Sequence, residues 1–142
     1  MDINRGRKYN GNANDAAGIF SQTRDLIASC DLLIANMSPF RGPSLEAGTA
    51  LEIGLMLGLN KPVVGYSLDN EDYAKRLMRL HDVFDLPLNE DSGDLQAPDG
   101  LLVENFGLVD SALVTGAVQS AKMPVSEDFE IAVRWGRRLL SD

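Results

Sequence analysis

Two helical patterns and two short apolar runs alternate over the first half of the chain. Residues 15–30 carry apolar side chains at helical spacing, which predicts a helix with one buried face. The runs 32–36 and 62–66 are apolar and bounded by polar residues, as is typical of strands inside a parallel sheet. Between them, residues 48–59 are apolar on nearly every side and predict a helix buried over most of its surface. This order predicts a right-handed βαβ unit.

The segment after the second predicted strand gives weaker signals. Residues 72–81 predict a short helix with Tyr73, Leu77 and Leu80 on its inner face. Residues 87–100 are acidic and rich in turn-forming residues, which predicts an exposed loop.

The C-terminal part of the chain ends in a clear helix. Before it, residues 101–106 are expected to form a brief strand or the approach to a helix, and residues 110–117 a short helix. The last helix is predicted to begin at a Ser126 cap, because acidic residues follow this serine and arginines lie toward the end, which suits the helix dipole. Its inner face would hold Phe129, Ala132, Val133, Gly136, Leu139 and Leu140.

The first residues differ from the rest in composition. Residues 1–14 are polar and contain four asparagines and two glycines, which predicts an irregular leader ahead of a single domain over 15–142. Asn14 or Asp15 would cap the first helix. The N-terminus has no apolar stretch, so we expect no signal peptide.

Composition narrows the function classes. Of the 142 residues, 44% are hydrophobic and 24% are charged, as is usual for a soluble globular domain. The 13 basic and 21 acidic residues give a net charge of −8, which argues against binding to nucleic acid or to an anionic membrane. With one cysteine, Cys30, and one histidine, His81, neither an internal disulfide nor a Cys- or His-based metal site is expected. These features favour a cytoplasmic protein that acts on a small molecule.

The residues with candidate chemistry lie between Asn36 and Gly54. This segment follows the end of the first predicted strand and enters the buried helix, where open α/β sheets bind ligands. Gly48 is followed by Thr49 rather than by lysine, and no G-x-G-x-x-G is present. Neither a P-loop nor a dinucleotide-binding fingerprint is therefore indicated.

Two carboxylates in this segment are candidates for catalysis. Glu46 is predicted in the loop and Glu52 in the first helical turn, so both would face the crevice above the strand ends. Glycosyl transfer with retention uses a carboxylate nucleophile and a second acidic group, and a helix N-terminus would favour an ionised Glu52. Thr49 to Glu52 also fits a capping box, in which Glu52 would accept a hydrogen bond from the Thr49 amide. Spacing alone favours this structural role.

Residues 31–66 contain a set of short motifs in a fixed order and spacing, and a weaker match follows at 104–108. The set consists of Asp31, Ala35, Pro39-Phe40-Arg41-Gly42, Glu46-Ala47-Gly48-Thr49-Ala50-Leu51-Glu52-Ile53-Gly54 and Lys61-Pro62. It resembles the signature of the nucleoside 2-deoxyribosyltransferase family. The resemblance implies a flavodoxin-like α/β fold, with three αβα layers and a mostly parallel sheet.

The resemblance also implies an activity. Family members transfer a 2-deoxyribosyl group between nucleobases by cleaving the N-glycosidic bond of a 2′-deoxynucleoside. Glu52 would inherit the nucleophile and carry a covalent glycosyl intermediate, while Glu46 would hold the sugar or handle protons at the base. The implied partners are a small-molecule 2′-deoxynucleoside and a nucleobase, with no metal and no organic cofactor.

The remaining site residues follow the family pattern. Gly48 and Thr49 would shape the sugar pocket, and Phe40 and Arg41 would lie near the base. The residues alone leave open that Phe40 anchors the loop on the core and that Arg41 is a surface charge. The same stretch contributes the candidate substrate-binding residues Asn36 and Gly42.

Two further family positions lie outside this stretch. Thr23 occupies the place of an Asn or Asp that orients the base. Ser111-Ala112-Leu113 corresponds to a substrate-contacting Asn-Leu-Met triplet, so Ser111 and Leu113 are candidate binding residues. In the family a neighbouring subunit supplies the triplet, which implies a homodimer or an assembly of dimers.

The length of the chain and the residues at positions 23 and 111 leave other functions open. The chain is about one βα unit shorter than the family pattern, so we expect the first βα unit to be absent. With Thr23 and Ser111 the acceptor base would be held less firmly, which would suit an N-glycosidase that passes the sugar of a nucleoside or 5′-monophosphate to water. A non-catalytic nucleotide-binding module, or a subunit that acts only with a partner, is the further alternative.

Overall fold

The computed structural model describes residues 13–82 and 85–141. None of the helices in these ranges is long and apolar enough to cross a membrane. The elements are α1 (Ala13–Ser29), β1 (Leu33–Asn36), α2 (Ala47–Gly58), β2 (Val63–Tyr66), α3 (Tyr73–Leu80), β3 (Leu95–Gln96), β4 (Leu102–Val103), α4 (Ala112–Gln119) and α5 (Phe129–Leu139).

Two parallel strands form the centre of the fold. β1 and β2 pair from Leu33 opposite Val63 to Asn36 opposite Tyr66, so both strands end at the same edge. Ser126 adds a parallel bridge beside Tyr66. The helix α2 connects the two strands, which confirms the predicted βαβ order. β3 and β4 form a separate antiparallel pair.

Side chains alternate between the two faces of the β1–β2 sheet. Ala35 and Val63 lie in the main core together with buried residues of α1, α2 and α4. Leu32 and Ile34 point to the other face, where they lie against Gly136 of α5. The sheet therefore separates a layer that contains α2 and α4 from a layer that contains α5.

Gly65 of β2 has neighbours too close for any side chain. A Cβ atom at this position would lie 2.5 Å from Met37 Sδ and 2.7 Å from Val118 Cγ1 of α4. We expect Gly65→Ala to lower the free energy of unfolding by about 1–3 kcal/mol, because the core must shift to admit the methyl group. Urea denaturation measures this. Gly116→Ala in α4, where the added methyl meets nothing within 4 Å, is the control and should be neutral or stabilising. An unchanged Gly65→Ala midpoint would contradict the prediction.

The last helix begins later than predicted. Asp128, not Ser126, is its N-cap and accepts hydrogen bonds from the amides of Glu130 and Ile131 at 2.6 and 3.2 Å. The backbone of Ser126 is engaged elsewhere, because its N–H donates to the Gly65 carbonyl at 2.9 Å. The serine therefore extends the sheet instead of starting the helix.

The first helix also differs from its predicted start. α1 already includes Asn14 and Asp15, so both lie inside the helix and not at the position before it. The predicted leader thus overlaps the helix, and residues 1–12 lie outside the described part of the chain. The region 87–100, predicted as an exposed loop, contains β3.

Several apolar helix positions are exposed although their spacing predicted burial. In particular, α2 is not buried on most sides, because its outer surface carries exposed leucine. An apolar pattern shows which residues could be covered and does not show by what. The exposed members of the predicted inner faces are Ile19, Phe20, Leu51, Leu59, Leu80, Phe129 and Leu140.

Lys61 joins the end of α1 to the start of β2. Its Nζ donates hydrogen bonds to the carbonyl oxygens of Ala28 at 2.6 Å and Cys30 at 2.7 Å. Carbonyl groups at the end of a helix have no partner within it, and a cation there also suits the helix dipole. The Lys61-Pro62 motif therefore has a structural role. Cys30 itself packs against the main core.

Candidate active site

The candidate site lies where β1 and β2 end. The side chain of Asn36 accepts a hydrogen bond from the Ser38 amide at 3.0 Å, and Ser38 Oγ accepts one from the Leu68 amide at 3.0 Å. These bonds join the loop after β1 to the loop after β2. Asn36 therefore shapes the turn at the strand end, and its contact with substrate stays a prediction.

Glu46 is the N-cap of α2. Its Oε2 accepts a hydrogen bond from the Thr49 amide at 3.0 Å. Gly48 permits this geometry, because a Cβ there would lie 2.7 Å from the same oxygen. The Thr49 amide is thus already bonded, and the predicted capping box between Thr49 and Glu52 does not form.

Glu52 lies in the second turn of α2, not in the first as predicted, because the helix begins at Ala47. No described residue donates a hydrogen bond to its carboxylate. Burial, and second the negative charge of Glu46, raise the pKa of Glu52 above its ordinary value. The expectation that the helix N-terminus favours the ionised form is therefore wrong here, since the dipole acts mainly within the first turn.

Phe40 and Arg41 stand at the surface of the loop. Phe40 is 52% exposed, and the Arg41 guanidinium carbon lies 5.1 Å from the centre of its ring, which is a cation–π contact. The loop turns sharply here, because Arg41 has a φ of 56° and the Phe40 amide donates to the Ser44 carbonyl at 2.9 Å. Phe40 is therefore not an anchor on the core. Gly42 is half-buried in the same turn.

Thr23, Ser111 and Leu113 lie on other elements. Thr23 is half-buried on α1, which packs along α2. Ser111 is the N-cap residue of α4, but its side chain makes no capping bond. Leu113 is 83% exposed in the first turn of that helix. Within the described ranges no hydrogen bond joins these side chains to Glu46 or Glu52.

Two buried charged residues beside the site were not predicted from the sequence. Asp110 accepts hydrogen bonds from the amides of Leu45 and Ser111, and so connects the predicted Ser111 to the loop before α2. Arg76 of α3 donates to the Pro43 carbonyl in the same loop. The available sequence signals were weak, since Asp110 merely adjoins Ser111 and Arg76 merely lies within a short helical pattern.

Glu46 is exposed and Glu52 is half-buried. Neither residue lines any of four of the best-formed clefts in the described ranges, and no three His, Cys, Asp or Glu side chains there lie close enough to hold a metal ion. One cleft, of about 570 Å³, is an apolar groove between α1 and α2, on the helix that carries Glu52. The apolar wall of this α1–α2 groove includes Ile27, Leu51, Gly54, Leu55, Gly58 and Leu59.

The chain matches the model of a known protein family. Residues 3–113 match the family model described as nucleoside 2-deoxyribosyltransferase. The chain belongs to this family. The motif resemblance over residues 31–66 is thereby confirmed.

Two relatives of this nucleoside 2-deoxyribosyltransferase-family chain are similar to it over part of their own length. A 2-desoxiribosyltransferase from Leishmania mexicana, with a solved structure, superposes with a TM-score of 0.61 at 28% identity, over 84% of this chain and 66% of that one. This similarity confirms the α/β fold class with a parallel sheet. An uncharacterized protein of Schizosaccharomyces pombe is 29% identical over 115 residues, which are 76% of this chain and 54% of the relative. The chain therefore spans about half the length of this curated relative.

Proposed function

We propose that this chain transfers a 2-deoxyribosyl group between nucleobases in the cytoplasm. The observation that carries the proposal is the arrangement of Glu46 and Glu52 at the end of β1. Glu46 is engaged with the Thr49 amide, whereas Glu52 accepts no hydrogen bond from the described residues. A purely structural capping role for Glu52, which would have suited a non-catalytic module, has lost its support. A free carboxylate is available as a nucleophile.

The proposed reaction has two displacement steps. A carboxylate oxygen of Glu52 attacks C1′ of the 2′-deoxynucleoside, and the bond from C1′ to the base nitrogen breaks with its electron pair on the base. The departing base takes up a proton from water, and Glu46 would hold the sugar or help to handle protons at the base. A nitrogen of a second base then attacks C1′, the Glu52 carboxylate leaves, and the new base releases a proton. Both steps proceed at one carbon, as in retaining glycoside hydrolysis.

Hydrolysis of the glycosyl intermediate is the second candidate function. Thr23 and Ser111 offer hydroxyl groups where the family pattern has amide or carboxylate groups, and the Ser111 hydroxyl is not used as a helix cap. An acceptor base would be held by fewer hydrogen bonds, so water could compete for C1′. The substrate would then be a nucleoside or a nucleoside 5′-monophosphate.

One incubation distinguishes these functions. The protein is mixed with 2′-deoxyadenosine, with and without cytosine, and the products are separated by chromatography. Deoxycytidine that forms only when cytosine is present supports the transferase. Adenine released in both mixtures without deoxycytidine supports the hydrolase. If neither product forms, and 2′-deoxyadenosine 5′-monophosphate is not cleaved either, the proposed function is wrong.

We further propose that the chain acts as a homodimer or an assembly of dimers. Four of the best-formed clefts in the described ranges do not include Glu46 or Glu52, and a second copy would supply further walls for a substrate of nucleoside size. Leu113 and the α1–α2 groove provide exposed apolar surface for a second copy.

Sedimentation velocity tests the assembly. We expect a dimer or larger species at micromolar concentration and dissociation of Leu51→Asp, because this leucine lies in the α1–α2 groove and a buried carboxylate there would have no partner. Leu140→Asp is the matched control, since Leu140 and Leu51 are 55% and 52% exposed and Leu140 lies in the other layer. A wild-type monomer, or equal dissociation of both variants, would contradict the proposal.

A further inference from the structure

Two buried side chains of opposite charge hold the loop in front of Glu46. Arg76 is 3% exposed, and its Nε donates to the Pro43 carbonyl at 2.9 Å while Nη2 donates to the Val109 carbonyl. Asp110 is 1% exposed, and its Oδ2 accepts from the Leu45 amide at 2.8 Å. Pro43 and Leu45 of one loop are thus bonded to Arg76 of α3 and to Asp110 on the approach to α4, respectively. We call this arrangement the Arg76–Asp110 clamp.

The remaining hydrogen-bonding groups of the clamp are also occupied. Nη1 of Arg76 donates to the carbonyls of Glu71 at 3.1 Å and Asp69 at 3.5 Å. The Asp69 carboxylate is 3.9 Å away and partly exposed, so backbone carbonyls compensate most of the guanidinium charge. Oδ1 of Asp110 accepts from the Ser111 amide at 2.7 Å. Buried charged groups with all these hydrogen bonds hold the backbone groups around them in place. Any other arrangement would leave a buried charge without a hydrogen-bond partner, which costs free energy.

The clamp ends at the residue before Glu46. With Leu45 held by Asp110, the backbone of Glu46 has a fixed starting point, and its carboxylate then bonds to the Thr49 amide over Gly48. The loop could otherwise move as loops at strand ends commonly do. The position of the Glu46 carboxylate relative to Glu52 therefore depends on bonds made by α3 and by the approach to α4.

We propose that Arg76 and Asp110 are positioning residues for the Glu46–Glu52 pair. Neither side chain reaches the reacting atoms, because both make their hydrogen bonds to backbone groups. Their effect is to hold the loop so that Glu46 and Glu52 meet the glycosidic bond from fixed positions. This inference rests on the proposed function, since its effect on rate presupposes glycosyl transfer at Glu52.

Asp110→Asn is the sharpest variant. The carboxylate accepts two amides with two different oxygens, whereas a carboxamide has one acceptor oxygen and turns its NH2 toward the other amide. We expect kcat for base exchange to fall about 10- to 100-fold with KM changed less than about threefold, because small misplacements of reacting groups affect rate more than binding. Asp128→Asn, which also replaces a carboxylate that accepts two backbone amides, is the control and keeps the wild-type kcat.

Two further variants separate positioning from general loss of stability. Thr115→Val removes the hydroxyl that donates to the Asp110 carbonyl, and it should lower the melting temperature with kcat unchanged. Arg76→Lys keeps the charge, but an ammonium group cannot span the Pro43 and Val109 carbonyls, so kcat should fall as in Asp110→Asn. Arg79→Lys, an exposed position on the same helix, is its control.

Hydrogen–deuterium exchange tests the clamp without any activity. Amides of residues 44–49 should exchange at least about tenfold faster in Asp110→Asn and remain as in wild type in Asp128→Asn. Unchanged exchange overturns the clamp. Faster exchange with wild-type kcat, or equal kcat losses in Asp110→Asn, Asp128→Asn and Thr115→Val, overturns its positioning role. If the wild-type chain cleaves no nucleoside or nucleotide, the proposed function fails, and exchange still decides whether the clamp holds the loop.

Discussion

Glu52→Gln is expected to lower the kcat of deoxyribosyl transfer by at least about 10⁴-fold, because a carboxamide cannot form the glycosyl ester. The fold should remain intact, since the carboxylate accepts no hydrogen bond from the described residues. Initial rates of base exchange measure the effect. Glu130→Gln, an exposed acid in the first turn of α5, is the matched control and should keep the wild-type rate. A Glu52→Gln rate within tenfold of wild type would remove Glu52 from the mechanism.

The same variant has a second readout in its stability. The folded-state pKa of Glu52 is raised by burial and by Glu46, so above that pKa the native state carries a charge that it disfavours. The wild-type fold therefore loses stability as pH rises from the unfolded pKa through the folded pKa. Glutamine removes this loss, and Glu52→Gln should melt at a higher temperature than wild type at pH 8. The difference should vanish at pH values below the unfolded pKa.

Glu46→Gln is expected to have the second-largest effect, a fall in kcat of about 10²- to 10³-fold, because the carboxylate that would hold the sugar or help to handle protons at the base is lost. Its negative charge is also one of two causes that raise the pKa of Glu52. Without that charge the pKa of Glu52 falls, although burial still holds it above the ordinary value. Glu52 acts as nucleophile when ionised, so the acid limb of the rate profile should move to lower pH. Rates of base exchange between pH 4 and 8 measure both effects.

Glu46→Asp provides the matched comparison. Aspartate keeps the negative charge and is a good N-cap residue, although its carboxylate is one methylene shorter. We expect most of the rate and the position of the acid limb to be retained. An acid limb that stays in place in Glu46→Gln would mean that the two carboxylates do not interact, and equal losses in both variants would mean that length rather than charge matters.

The strand–helix–strand unit and the segment with the candidate site residues were predictable because they are local. β1, α2 and β2 lie within a residue or two of the apolar patterns that predict them. The motif that contains Glu46 and Glu52 is also continuous in sequence, so its family resemblance could be found without knowledge of the fold. For residues 101–106, where the sequence left a brief strand and the approach to a helix as alternatives, the structure has the strand β4.

What could not be predicted depends on residues that are distant in sequence or on competition between neighbours. The bond from Arg76 to Pro43 joins residues 33 positions apart, and the bond from Leu45 to Asp110 joins residues 65 apart. The capping error has another origin, because two glutamates flank the Thr49 amide at three residues on either side. The sequence pattern fits a hydrogen bond from the Thr49 amide to either glutamate. Only the path of the loop determines which glutamate accepts it.

The absence of a side chain at Gly65 has consequences beyond the packing of the core. Because Val118 comes so close to it, the bare backbone sets how deeply α4 sits against the sheet. Asp110 stands just ahead of that helix and holds Leu45. A methyl group at position 65 would push α4 away from the sheet. Asp110, and with it the hydrogen bond to Leu45, would move together with the helix. Under the proposed function, a substitution at Gly65 would therefore affect turnover through Asp110 as well as stability through the core.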